Sequence, residues 1–231
     1  MDIGRAFSFV TEDESWINKI LIGGLLLLIP LIGQLALIGY MLETARNVAQ
    51  GNPRPLPEWS NFGDKIIQGL YGLIIQLVYA LPIVILSFIM ACVIISASAA
   101  VGGSNEDAAG AMVGFIVLCF VPLILVSSMI IQPVLLAALG RYVQTNNLGA
   151  ALQIGSVIGI VRSSLRTWVV VWLVYILCGI IGSLGSIAFI IGALFTTVYG
   201  QAVLGHVLGQ VVARSSESSN LGSSYGSPTY Q

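Results

Sequence analysis

The chain has 231 residues, is 57% hydrophobic and only 8% charged, and has a formal net charge of −1. A soluble domain carries about 25% charged residues, so nine basic and ten acidic side chains are too few to clothe a water-exposed surface here. The composition argues against a soluble globular protein, and the charge balance argues against nucleic acid as a partner.

A hydrocarbon core of roughly 30 Å needs about 20 apolar helical residues. Residues Met1–Ser15 carry four acids and Arg5, and Ile3, Ala6, Phe7 and Val10 suggest a weakly amphipathic segment at the membrane surface over residues 1–16. No small-x-small cleavage pattern follows, so insertion is expected to be driven by the first apolar segment itself.

That segment, Ile20–Leu42, is free of charge over 23 residues. Two readings fit it: one span kinked at Pro30, or two short helices joined by a turn at Pro30-Leu31-Ile32-Gly33-Gln34. Basic residues mark the cytoplasmic side. With the hairpin, all nine Lys and Arg lie on that side; with one span, Arg5 and Lys19 lie opposite the rest. The hairpin is therefore the favoured reading.

The segment Gly51–Asp64 contains Pro53, Pro55 and Pro57 and is stiffened by them. Asn61 is placed to cap the following helix. Pro57, Glu58, Trp59 and Phe62 form a candidate docking corner for a partner, although a structural corner that launches a helix explains the same residues. Lys19-Ile20-x-x-Gly23 is echoed by Lys65-Ile66-x-x-Gly69.

Three more uncharged runs follow: Ile66–Asn105, Ala108–Gly140 and Thr167–Ala213. The first two each predict one long helix, with Pro82, Pro122 and Pro133 inside. The third is too long for one span and is expected to fold at Gly182-Ser183-Leu184-Gly185-Ser186 into two helices, about Trp168–Ile181 and Ile187–Val212. Before it, Ile154, Val157, Ile158, Val161, Leu165 and Trp168 recur at helical spacing, with Arg162 and Arg166 beside the stripe; an interfacial amphipathic helix is expected. Residues 215–231 are rich in Ser and Gly and are expected to be a disordered tail.

The expected fold is therefore all-α: a membrane domain over residues 17–214, built from a short helical hairpin, four longer transmembrane helices and one interfacial helix. Gln76, Gln132 and His206 are the candidate intramembrane polar residues. The glutamines suit interhelical hydrogen bonds, and His206 suits a helix end approaching water that tolerates substitution. Gly155-x-x-x-Gly159 and Gly205-x-x-x-Gly209 match the small-xxx-small pattern, and the second suits close helix contact. Cys92, Cys119 and Cys178 are expected as small buried hydrophobes. The sequence offers no nucleophile–base pair, paired catalytic carboxylates or phosphate loop, so neither an enzyme nor a cofactor is expected.

Several segments resemble one family as a set. These are Trp16-Ile-Asn-Lys-Ile-Leu-Ile-Gly-Gly, Ile29-Pro-Leu-Ile-Gly33, Gly39-Tyr40, Leu56-Pro-Glu-Trp59-x-x-Phe-Gly63, Arg141-Tyr142, Asn147-Leu-Gly149 and Gly205-His-x-x-Gly-Gln210. The set is similar to the prokaryotic membrane family known as domain-of-unknown-function family four-zero-one-three, over nearly the whole chain to about Arg214. The resemblance implies a multi-pass cell-membrane protein and no particular activity. The expected role is a non-enzymatic protein that organises or assists membrane partners, including other copies of itself, with both termini cytoplasmic. A channel or transporter is the alternative.

Overall fold

The computed structural model describes residues 1–101, 106–185 and 189–224, and no strand occurs among them. The helices are α1 (Ile3–Glu12), α2 (Trp16–Leu26), α3 (Ile32–Ala49), α4 (Phe62–Val101), α5 (Glu106–Thr145), α6 (Leu148–Ala151), α7 (Ile154–Ser163), α8 (Leu165–Leu184) and α9 (Phe189–Ser224).

The first apolar run is a hairpin. Helices α2 and α3 are separated by Leu27–Leu31, and Leu31 takes φ 64°. The turn satisfies much of its own backbone: Leu28 N donates to Leu25 O (3.1 Å), Ile29 N to Leu26 O (2.9 Å) and Gly33 N to Ile29 O (2.9 Å). Gly33 abuts the Leu26 carbonyl so closely that a Cβ there would overlap it.

Helix α3 is the axis of the bundle, packed between α4 and α9. Its contacts are backbone on backbone. A Cβ on Gly39 would overlap the Lys65 carbonyl, and one on Gly69 would overlap the Leu35 carbonyl, so α3 and α4 meet through paired glycines. On the other side Gly205 and Gly209 lie against the Met41 and Ala45 carbonyls. The second small-xxx-small match is thus a helix contact, whereas Gly155 and Gly159 face open space.

Helices α4 and α5 are each 40 residues, about 60 Å of helix, and each continues through its prolines. Only their ends nearest the termini enter the core, through Ile75, Tyr79, Leu136, Ala137 and Tyr142. Beyond that the hairpin stands away from the bundle with most of its large side chains outward: Phe88 and Leu118 are 68% and 70% exposed, while Ile116 is buried.

Phe62–Ala100, Asp107–Thr145 and Leu165–Leu184 are long and apolar enough to cross a membrane. Of the four long spans expected, α9 differs from these three. Its middle carries Thr196, Thr197, Tyr199, Gln201 and His206, and residues 202–209 are buried by protein. A helix shielded by its neighbours tolerates polar groups that lipid would penalise.

Other elements depart from the sequence-based expectation. The apolar stripe of α1 is turned onto the bundle, with Ala6, Phe9 and Val10 buried, and Tyr199 Oη donates to Phe7 O (2.8 Å). The amphipathic stretch before α8 is two helices: Ser164 (φ −137°, ψ 43°) breaks it, ending α7 and preceding α8. Val157, Val161 and Trp168 face the core, and Arg162 and Arg166 lie on opposite sides of the break. Helix α9 continues beyond Arg214 to Ser224, so the first part of the Ser-rich segment is helical. Extending an established helix costs far less than nucleating one. Residues 225–231 of that segment, Ser186 of the expected Gly182–Ser186 turn, and residues 102–105 lie outside the described residues. Cys178 is buried as expected, but Cys92 and Cys119 are exposed on the outstanding hairpin.

The glycine contacts give a direct test. Gly39→Ala should lower stability by about 1–3 kcal/mol, because the new methyl has no room beside Lys65. Gly159→Ala, in open space, should be neutral or slightly stabilising. Thermal unfolding of the purified protein in detergent measures both.

Candidate functional site

The charged residues gather at the end of the bundle that holds both the N-terminus and the C-terminal part of α9. The turn Asp13–Ser15 between α1 and α2 is built on one carboxylate. Ser15 donates to Asp13 Oδ1 from its backbone N (2.9 Å) and its Oγ (2.7 Å). The other oxygen, Oδ2, accepts from Lys19 Nζ (2.7 Å). The Lys19 ammonium also donates to Leu56 O (3.1 Å) and meets Glu58 Oε1 at 2.8 Å. Its three donors therefore have three acceptors, which offsets the burial of a side chain only 4% exposed. Burial pushes the Asp13 carboxyl up, but hydrogen bonds from Lys19 and Ser15 and the Lys19 charge outweigh it and hold the group below its ordinary value.

The candidate docking corner is clamped to this lysine. Trp59 Nε1 donates to Lys19 O (2.8 Å), and the indole stacks on Tyr40 (centroids 4.6 Å apart, planes 12° apart). Pro57 is buried and Phe62 half-buried. Glu58 is the member of the four that stays open, even while paired with Lys19.

One turn deeper, Lys65 Nζ meets Glu43 Oε2 at 2.8 Å and is 1% exposed. Glu43 and Arg46, neighbours on α3, take separate partners. Arg46 lies over the Tyr142 ring (5.3 Å to the centroid) and donates to Gln68 Oε1 and Asn146 Oδ1, both at 2.8 Å. Tyr142 Oη donates to the same Gln68 oxygen (2.6 Å), so Gln68 ties α3, α4 and α5 together.

A cavity of about 620 Å³ opens between α1, the α3–α4 connection and α9. Arg5, Arg54 and Arg214 line it together with Asp2, Glu12 and Glu217. His206 forms part of its wall, buried and tilted against Phe9 (4.4 Å, 32°). Gln210 bridges α9 to the N-terminus: its Oε1 accepts from Asp2 N (2.7 Å), and its Nε2 donates to Asp2 O (2.8 Å). The same Nε2 lies 3.1 Å from His206 Nδ1, an arrangement satisfied when Nδ1 accepts and Nε2 of the imidazole holds the proton. The tolerant helix end expected at His206 is instead a packed contact between α1 and α9.

Gln76 and Gln132 are both half-buried, and Gln132 Oε1 is buried with no hydrogen-bond partner among the described residues. The structure does not bring the candidates into one cluster. His206 belongs to the charged end, whereas Gln76 and Gln132 sit on α4 and α5.

Residues that sequence reasoning missed are Asp13, Lys19 and Lys65. The repeated Lys-Ile-x-x-Gly was their signal. In each copy the lysine is buried against a carboxylate and the glycine, Gly23 or Gly69, is in close packing.

A family model matches residues 22–198, from within α2 to within α9. The chain belongs to the family described as a protein of unknown function, DUF4013. The match is shorter at both ends than the resemblance drawn from the motifs, since Trp16–Leu21 and Gly205–Gln210 lie outside it. Searches of curated proteins and of solved structures gave no match. The DUF4013 segment holds Trp59, Lys65 and the Arg46 network, while Lys19, His206 and Gln210 flank it.

Two results are expected at the Lys19 clasp. Lys19→Met should cost about 3–5 kcal/mol by leaving Asp13 buried and unpaired, and adding Asp13→Asn should restore a large part of it. The stabilisation from the lowered Asp13 carboxyl should be fully present above its unfolded value near 3.8 and be lost as pH falls through the folded value. Denaturation of wild type and Asp13→Asn across acid pH measures this: the gap between them should close on the acid side.

Proposed function

We infer that this DUF4013 protein is a non-enzymatic, multi-pass cell-membrane protein that organises or assists other membrane proteins, with both termini and the charged end in the cytoplasm. The observation that carries this reading is the α4–α5 hairpin. Beyond Tyr79 on α4 and ahead of Leu136 on α5, where it is anchored in the core, it presents Leu81, Ile85, Phe88, Leu118, Leu125 and Met129 outward. Two helices of about 60 Å exceed a hydrocarbon core of roughly 30 Å and present a long apolar surface to membrane neighbours. The sidedness is supported by the gathering of basic residues at one end: Arg5, Arg54 and Arg214 around one cavity, Arg141 and Arg214 around another, and Lys19 beside Arg54 around a third.

Transport is the second reading, favoured by the unpartnered Gln132 oxygen between apolar helices. Against it, Ser127 and Ser128 spend their hydroxyls on their own helix, at Leu123 O and Leu125 O.

A photo-crosslinking residue placed at Phe88 or Leu118 should capture membrane protein in intact cells, and reconstituted vesicles should show no ion or solute flux. Lipid adducts alone, with flux abolished by Gln132→Leu, would replace this reading with transport.

A further inference from the structure

A second cavity, of about 470 Å³, lies between the end of α5, the α7–α8 break and the end of α9. Its charge differs in kind from that of the larger one. Arg141 and Arg214 line it, with Ser163, Ser164 and Thr167, and no carboxylate is among its lining residues. Glu217, the acid nearest Arg214 in sequence, lines the other cavity. Arg162 and Arg166 are exposed on either side of Ser163–Leu165.

These four arginines stand apart from most of the other basic residues. Lys19, Lys65 and Arg54 face carboxylates, and Arg46 is held by Gln68 and Asn146. Arg141, Arg162, Arg166 and Arg214 have no carboxylate within salt-bridge distance among the described residues; Arg141 Nε donates to Ala150 O (3.3 Å). Ser164 does not cap α8 with its side chain, so the hydroxyl is left to the cavity.

The rest of the cavity is largely apolar, lined by Ala137, Ile160, Trp168, Val211 and Val212. It lies at the start of α8, a helix long and apolar enough to cross the bilayer. A cavity with cationic, hydroxyl and apolar lining at the end of such a helix matches a phosphate carried on a lipid.

We propose that the cavity bounded by Arg141, Thr167 and Arg214 binds the headgroup of an anionic phospholipid at the membrane surface where α8 begins. The guanidiniums suit phosphate oxygens, since each offers a planar fork of donors. The hydroxyls of Ser164 and Thr167 complete the polar lining, while Ser163 donates its own to Ile160 O (2.9 Å). Basic pockets between transmembrane helices on the cytoplasmic side recognise lipid headgroups in this way. Arg162 and Arg166 add attraction to a negatively charged leaflet without lining the cavity.

The test uses the full chain in mild detergent, with lipid adducts counted by native mass spectrometry. Phosphatidylglycerol, phosphatidylcholine and glycerol 3-phosphate are the three probes. Phosphatidylglycerol should bind about tenfold more tightly than phosphatidylcholine, a preference the arginine charges supply. Arg214→Gln and Arg141→Gln should each reduce that preference severalfold, and Arg54→Gln, at the other cavities, should leave it unchanged. Arg141 also bonds the Ala150 carbonyl, so Arg214→Gln combined with Thr167→Val gives a second way to empty the cavity of its ligands. Equal binding of the two lipids would overturn the proposal, as would a preference that survives Arg214→Gln with Thr167→Val. Saturation by glycerol 3-phosphate at the same concentrations would show a water-soluble phosphate ligand instead, and would equally overturn it.

Discussion

The structure depends on reversing the chain at Leu27–Leu31. An apolar segment of 23 residues is long enough to cross the hydrocarbon once, and crossing would carry Arg5 and Lys19 to the far side from the other basic residues. The reversal returns the chain to the end from which it came. Its cost is a non-helical turn among apolar residues, and the turn meets that cost by closing short backbone hydrogen bonds upon itself. Leu31 accepts a left-handed backbone to do so, and Gly33 allows the start of α3 to lie against the end of α2.

Once α3 is directed back, it becomes the helix on which the others are laid. Glycines let α4 approach one side and α9 the other to backbone distance, and this closeness places the charges. Lys65 reaches Glu43 because Gly39 has no side chain between the helices. Arg46, one turn on, lies over Tyr142 and joins Gln68. The α1–α2 turn adds Asp13 and Lys19 on the same end, and the proline-stiffened connection supplies Leu56 O, Glu58 and Trp59 to hold them. Lys19 matches each of its three donors with an acceptor, whereas Lys65, buried more deeply, is held by the Glu43 carboxylate. The polarity of the molecule, a charged end and an apolar outstanding hairpin, is thus one consequence of where the first turn falls.

Much of this was legible in the sequence. Uncharged runs located α4, α5, α8 and α9, because lipid around the first three and protein around α9 both disfavour charge. The charge distribution favoured the hairpin over the kinked span. Periodicity was less informative about what covers an apolar face. The stripe of α1 reads as membrane-facing and packs on protein; Cys92 and Cys119 read as buried and face outward. A hydrophobic face records the absence of water, and lipid and protein exclude water alike. Local breaks were equally hidden: Ser164 interrupts a good amphipathic pattern, and Gly, Pro or Asn gives no warning at that position. Of the candidate residues, Trp59 joins the charged end while Gln76 and Gln132 lie apart on α4 and α5, and His206 is a packing residue because α1 folds over it, a long-range contact that no local pattern reveals.

The most direct test of the central claim is labelling of single cysteines by an impermeant thiol reagent in intact cells, with Cys92, Cys119 and Cys178 replaced. Ser8→Cys and Ser60→Cys, at the charged end, should react only after the cells are opened, and Gly110→Cys, near the tip of the α4–α5 hairpin, should react at once. Reaction at position 8 from outside, with position 60 still protected, would contradict the account, because Ile20–Leu42 would then be a single kinked span and the nine basic residues would not share one side of the membrane.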